Sequence, residues 1–571
     1  MPRTKPSVSL FTTLLLSVPV LALIGLAVWY HKVKSEEADE RIFDLATRHT
    51  TPSIGGLPPS TIHFEDVAKT AGLNYQWKYK RPMTIWESTG KGCAFLDYNN
   101  DGNLDILLVG PTLALYQGDG KGHFVDVTKQ TGLDKFTGRY DGCCVGDYDN
   151  DGFPDIYISG FYTGTLLHNE KGVSFTDATK SAGLNPQYWG SSAAFVDLDG
   201  DGYLDLVIAN YVYFDEKAKP YCEKDGIQMS CGPLDYVGVM ATAYHNLKNR
   251  TFEDVTWSWR FTTTGAGLGL ACADYDNTGR PSLAFANDLR LGDMLHQEPG
   301  GVTYRNIGMA VGVGGAPTGG AHAGMGIDWG DYNNDGKLDL FVSTFQHESR
   351  SLYENTKEGI FKDVAPSTGI TQACLDYLAF GVKFIDVDND GWLDLLIANG
   401  HVQDSIAHFD KKATFLQHVQ LLHNDCNTSP HFTDLSTQAG LASIRPIMGR
   451  GLAIGDFDND GRMDALVVDC DGAPLLLHNV SASAGHWLLC KLIGTKSNRD
   501  AIGALVTFET KGRKLLRQCS PGGSFLSSSD LRVHVGLGSA TQTNIRIKWP
   551  SGNVDTYKNV PADQIITLRE K

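Results

Sequence analysis

Carboxylate and carboxamide side chains recur in this chain at alternate positions of a nine-residue loop. The loop reads DYNNDGNLD from Asp97, DYDNDGFPD from Asp147 and DLDGDGYLD from Asp197. It returns as DYDNTGRPS from Asp274, DYNNDGKLD from Asp331, DVDNDGWLD from Asp386 and DFDNDGRMD from Asp456, seven copies in all. In the second copy Asp147, Asp149, Asp151 and Asp155 hold positions 1, 3, 5 and 9, so one tight turn can aim several oxygens at a single point. Gly152 at position 6 allows the positive φ that such a bend needs, and Phe153 at position 7 offers its backbone carbonyl.

The same places are held by Asp97, Asn99, Asp101, Asn103 and Asp105 in the first copy, and by Asp197, Asp199, Asp201, Tyr203 and Asp205 in the third. The fifth copy supplies Asp331, Asn333, Asp335, Lys337 and Asp339, and the sixth Asp386, Asp388, Asp390, Trp392 and Asp394. The seventh supplies Asp456, Asp458, Asp460, Arg462 and Asp464. Hard oxygen ligands in an irregular loop suit Ca²⁺ better than Mg²⁺, which demands stricter octahedral geometry. A single loop of this kind would read as a solvated Asx turn; six near-perfect copies point to about six calcium sites. The fourth copy has Thr278 and Ser282 where the others have acids, leaving Asp274 and Asp276, so its site is expected to be weak or empty. An EF-hand needs a Glu at position 12 and flanking helices. Here position 9 runs straight into an apolar, β-like stretch such as LDLVI from Leu204, which rejects that reading.

The loops must be held by strands. Small and apolar residues lead into each loop, a β-like run follows it, and a second strand ends in a phrase such as Leu167-His168-Asn169 or Leu477-His478-Asn479. A third phrase resembling FxDV begins at Phe64, Phe124, Phe175, Phe252, Tyr304, Phe361 and Phe432. The spacing of about 60 residues is that of a repeat architecture. The array opens on an FxDV phrase before any loop and closes on a Leu-His-Asn phrase with no FxDV after it. Each end supplies what the other lacks, which predicts a ring in which the first strand completes the last blade. The expected fold is therefore mainly β: a seven-bladed β-propeller over 61–482, followed by a small β-rich domain over 483–571.

The formal net charge of −17 speaks against nucleic acid as a partner, since phosphate binding needs a basic surface. Residues 7–30 form an uncharged run behind Arg3 and Lys5, long enough to span a bilayer. They read as an N-terminal transmembrane anchor, with a signal peptide cleaved after Ala27 as the alternative. Residues 31–60 read as a linker. The bulk is placed outside the cytoplasm, periplasmic or at the cell surface, and secreted if the segment is cleaved. Of the 11 cysteines, Cys222 and Cys231 in a polar insertion are the expected disulfide; Cys93, Cys143, Cys144, Cys272 and Cys490 read as small buried hydrophobes. Asn249, Asn427 and Asn479 begin Asn-x-Ser/Thr sequons.

The DxDxDGxxD loops in β-rich repeats resemble the FG-GAP and VCBS-type repeats of integrin α-chain propellers. Near the C-terminus, NRDAIGA from Asn498, VHVGLG from Val533 and WPSG from Trp549 look like an ASPIC/UnbV domain. The pair of modules, covering roughly 62–568, resembles the cartilage acidic protein family, chiefly its bacterial members. That resemblance implies a secreted or surface calcium-binding propeller with adhesive or interaction roles and no established reaction.

Two functional classes follow. The first is a binding or adhesion scaffold for a protein or glycan ligand, with insertions around 213–240 and 404–418 supplying specificity or serving as packing flaps. The second is an enzyme, a lyase or hydrolase on glycans or lipids, with a site near the propeller channel. No HExxH, GxSxG or GxxxxGK[ST] motif supports it. His168, His245, His296, His423 and His478 recur in one phrase of successive repeats, which marks them as structural; His322 is the unrepeated exception.

Overall fold

The strands that follow the acidic loops are apolar without interruption: Ile106, Leu107, Leu108 and Val109 are all fully buried, as are Leu395, Leu396, Ile397 and Ala398. Runs of this kind are covered on both faces, and neighbouring sheets supply the cover. The computed structural model describes residues 61–571 apart from 317–318, 357–358, 426–429 and 483–484. The segments read as anchor and linker lie outside the described residues. Among the described residues, no helix is long and apolar enough to cross a membrane.

The chain is mainly β. Seven four-stranded antiparallel sheets share one plan. The second runs Tyr140–Gly146, Asp155–Gly160, Thr163–Asn169 and Phe175–Asp177, with the acidic loop joining its first two strands. The first strand of each sheet touches the first strand of the next, and that of the seventh sheet, Gly449–Gly455, touches that of the first, Cys93–Leu96. The seventh sheet is completed from the other end of the array: Phe64–Asp66 pairs with Leu475–Asn479, Phe64 opposite Asn479 and Asp66 opposite Leu477. The outermost FxD strands are three residues long and bury mainly their aromatic residue. Short, acidic outer strands leave little edge for unwanted pairing.

The two long insertions meet one another. One carries the Cys222–Cys231 disulfide beside a small hairpin, Cys222–Lys224 with Ile227–Met229. The Gln403 amide of the other donates to Ser230 O and Oγ, both at 2.9 Å, and the Lys224 ammonium lies 5.0 Å from the Phe409 ring.

The C-terminal part holds two sheets, Val533–Gly538, His486–Ile493 and Gln564–Arg569 in one, and Arg513–Gln518, Leu505–Thr510, Gln542–Lys548 and Val554–Pro561 in the other. Their core gathers Leu488, Val506, Phe508, Ile545 and Trp549. Residues 518–530 leave these sheets and reach the first strand of every one of the seven. Gln518 Nε2 donates to Cys272 O, and Ser528 N donates to Cys93 O. Leu526 N donates to Ser192 Oγ while Leu526 O accepts from Cys143 N. Ser524 O accepts from Ile327 N, Gly522 O from Lys383 Nζ, and Ser529 Oγ from Ile454 N. Gly92 permits this approach, because a Cβ there would stand 1.8 Å from Leu526 O.

Candidate metal loops and the domain over them

Each loop is closed by its own carboxylates. In all seven copies the position 1 aspartate accepts the N–H of the position 6 glycine on Oδ2, from 2.7 Å at Asp147 to 3.2 Å at Asp97. In the six full copies the position 5 aspartate accepts the N–H of position 7, which turns the position 7 residue of each loop, Asn103 through Arg462, into the bend. Position 4 sits in the left-handed region, with φ of 58° at Asn150 and 60° at Asn459, a conformation that Asn and Gly tolerate best. Asn150 uses its amide to donate to Gly202 O of the next loop at 2.9 Å, and Asn100, Asn334 and Asn389 make the equivalent link.

Position 9 ties the loop to its sheet. Asp155, Asp205, Asp394 and Asp464 accept the N–H of position 2 on Oδ2 and an N–H from the third strand on Oδ1. The recurring histidines meet these acids: His168, His245 and His423 bring Nδ1 to 3.0, 3.0 and 2.9 Å from Asp155, Asp205 and Asp394. His296 meets Ser282 instead, and His478 meets Asp458. Burial opposes a charge on His423, yet the Asp394 carboxylate overrides it and pushes the imidazole up to about 9. The residue after each histidine reaches the preceding repeat: Asn169 donates to Tyr98 O, Asn246 to Tyr148 O and Asn479 to Val387 O, all at 2.8 Å, and Gln297, which follows His296, donates to Leu198 O at 3.1 Å. Asn479 is fully buried, so its sequon is closed to modification; Asn249 is exposed, and Asn427 lies outside the described residues.

The loops bring the predicted oxygens together. Asp147, Asp149 and Asp155 each place one carboxylate oxygen within 4.8 Å of the others. His168 joins Asp149 and Asp151 at that range, His245 joins Asp199 and Asp201, and His478 joins Asp458 and Asp460. Buried carboxylate oxygens stand without a hydrogen-bond partner at Asp97 Oδ1, Asp339 Oδ2, Asp388 Oδ1 and Asp458 Oδ1. Burial pushes Asp105 up to about 8 and Asp197, Asp331 and Asp456 up to about 7. Orphaned acceptors and carboxyls reluctant to ionise are what a cradle built for a cation shows. The residues present fit a hard, oxygen-liking ion. Basic side chains also visit the rim: Arg250 Nε lies 2.8 Å from Asp149 Oδ2, and Lys337 and Arg462 pair with Asp335 and Asp460 of their own loops.

Sequence reasoning missed what lies over the loops. Asp500 accepts the N–H of Asp147 at 2.7 Å, and Gly536 N donates to Asp386 Oδ2 at 3.1 Å. Arg532 donates to Asp456 O and Asn459 Oδ1, both at 2.7 Å, while Lys491 lies 3.4 Å from Asp97 Oδ2. Lys548 donates to Asp274 Oδ2 at 2.9 Å. The C-terminal sheets thus sit on the face that carries the acids. His322 is buried with Nδ1 unpartnered, and no second ligating group joins it among the groups described above.

A family model described as ASPIC and UnbV matches residues 494–571, and one described as FG-GAP-like repeat matches 97–158, 147–208 and 331–397. Cartilage acidic protein 1 of Xenopus tropicalis is 24% identical over 496 residues, covering 81% of this chain and 71% of that protein. The Mus musculus protein of the same name is 24% identical over 511 residues, covering 84% and 73%. Among solved structures, an Agrocybe aegerita lectin recognising non-reducing terminal N-acetylglucosamine aligns at 13% identity and a TM-score of 0.37, over 67% of this chain and 86% of that one. A Bacillus licheniformis rhamnogalacturonan lyase aligns at 12% identity and 0.35, over 69% and 72%. At these scores the two structures say nothing of this chain's ligand or activity.

Proposed function

We propose that this chain, which carries FG-GAP-like repeats and an ASPIC/UnbV domain and is a distant homologue of cartilage acidic protein 1, is an extracytoplasmic calcium-binding interaction scaffold. In this reading the seven sheets are the blades of one propeller, and residues 7–30 anchor it to a membrane. The observation that carries the reading is the six-fold recurrence of one carboxylate cradle, with a buried oxygen left unpartnered at Asp97, Asp339, Asp388 and Asp458. An enzyme centred on the channel is the weaker reading, because residues 518–530 occupy the space between the first strands. The scaffold would display a protein or glycan ligand's docking surface rather than turn a substrate over. Terbium luminescence titration of the intact protein tests the metal part: about six sites support it, and no saturable signal displaced by calcium rejects it.

Asp149→Ala should cost more than Asp276→Ala. The first removes a buried carboxylate from a complete cradle; the second touches a loop whose position 5 and position 9 acids are absent. With calcium present we expect losses of about 1–3 kcal/mol and under about 0.5 kcal/mol. Equal losses in denaturant melts of the two variants would remove the distinction between the loops.

Proton competition should be visible too. Asp105, Asp197, Asp331 and Asp456 have folded pKa values of about 7 to 8 without metal, against about 3.9 for an unfolded aspartate. Between those values the folded chain binds more protons than the unfolded chain, so metal-free stability falls as pH rises from about 4 to 8. Calcium requires the ionised form, so its affinity rises over the same interval. The calcium-induced gain in melting temperature should therefore be larger at pH 8 than at pH 6, while chelated protein shows the opposite slope. A gain independent of pH would show that these carboxylates do not exchange protons for metal.

A further inference from the structure

The fourth loop departs from the others in more than its missing acids. Thr278 Oγ1 donates to Asp276 Oδ1 at 2.9 Å, and Ser282 Oγ meets His296 Nδ1 at 2.9 Å, so both hydroxyls are engaged with neighbouring side chains. Asp274 keeps its bond from Gly279 N, yet its buried Oδ1 has no partner. Into this loop comes Lys548, the last residue of the C-terminal strand Gln542–Lys548. Its ammonium donates to Asp274 Oδ2 at 2.9 Å and to the backbone carbonyl of Asn277 at 3.1 Å. One contact is to the position 1 carboxylate and the other to a carbonyl of the bend, the oxygen types that coordinate a cation in such loops.

We propose that Lys548 latches the C-terminal domain to the fourth loop without metal: its tethered ammonium holds Oδ2 of the position 1 carboxylate, the oxygen that Lys491 approaches at Asp97, and a carbonyl of a bend that lacks two acids of the full loops. A single positive charge suits a loop with two carboxylates as a divalent ion suits loops with three or four. Lys548 is largely covered, at 22% exposure, and Asp274 at 11%, so solvent screens the pair only partly.

The site count rests on the calcium reading above, but the stability of the latch does not. In EGTA, Lys548→Gln should lower the melting temperature of the full chain by about 2–5 °C. The same loss should appear in calcium, and Lys548→Arg should recover most of it. The variant combining Lys548→Gln with Thr278→Asp and Ser282→Asp should bind one more terbium ion than the wild type. An unchanged melt of Lys548→Gln in EGTA overturns the latch, as does a wild-type count of seven or an unchanged count in the triple variant. Absence of terbium binding in every variant would overturn the calcium reading alone, and the EGTA melts would still decide the latch.

Discussion

Stripping calcium from the intact protein should lower its melting temperature by on the order of 10 °C. Six loops each crowd three or four carboxylates, with oxygens of Asp147, Asp149 and Asp155 inside 4.8 Å of one another. Without a cation the repulsion is relieved only by protonation or by borrowed bases such as Arg250, which remains more than half exposed beside Asp149. A ligand bound by the folded state alone stabilises in proportion to RT ln(1 + [L]/Kd). At about 1 mM calcium and a Kd of about 10⁻⁴ to 10⁻³ M, each site contributes about 0.4–1.4 kcal/mol. Summed over about six sites in a chain of this length, that corresponds to the shift stated. The loops also seat the C-terminal domain through Asp147, Asp386 and Asp456. Protease sensitivity after the domain's first strand should therefore rise in EGTA. Scanning calorimetry with and without chelator is the direct check. Coincident melts would mean that the carboxylate cradles contribute nothing through metal.

Much of this was legible because it is repeated. The seven loops, the seven FxDV phrases and the length of the period each occur often enough to rise above chance, and every FxDV phrase is an outer strand in the structure. The histidines were readable as structural for the same reason, although only the structure shows that Nδ1 of His168, His245 and His423 faces the position 9 acid. The role of the amide residue after the histidine was not legible, since its partner lies in the preceding repeat, as from Asn246 to Tyr148 O. The C-terminal contacts were not legible at all. Asp500 and Lys548 serve loops that lie 353 and 274 residues earlier. Such contacts leave no periodicity, and the motifs NRDAIGA and WPSG mark a family without saying what their neighbours touch. Gly92 is one of the small residues that lead into the first loop, and only the structure shows that a Cβ there would meet Leu526 O.

Deleting residues 61–69 should damage the last sheet although they stand more than 400 positions before its strand Leu475–Asn479. Phe64 is 1% exposed and packs with Ile62, Leu477 and Ala465. Its strand is fixed by register, with Glu65 opposite His478, and by Val67 N donating to Leu476 O at 2.9 Å. Phe64→Ala alone should cost about 3–5 kcal/mol, the range for emptying a buried aromatic site. Removing the whole strand adds an unpaired edge along Leu475–Asn479, a template for association. A chain beginning at Thr61 should therefore melt with the full-length protein, while one beginning at Thr70 should be aggregated or cleaved at low protease concentration. Cysteines placed at Glu65 and His478 test the pairing without deletion, because directly opposed residues have Cβ atoms about 5 Å apart and should cross-link on mild oxidation. If both truncated chains melt alike and stay monomeric, the first strand does not close the array, and the last sheet must be stable with three strands.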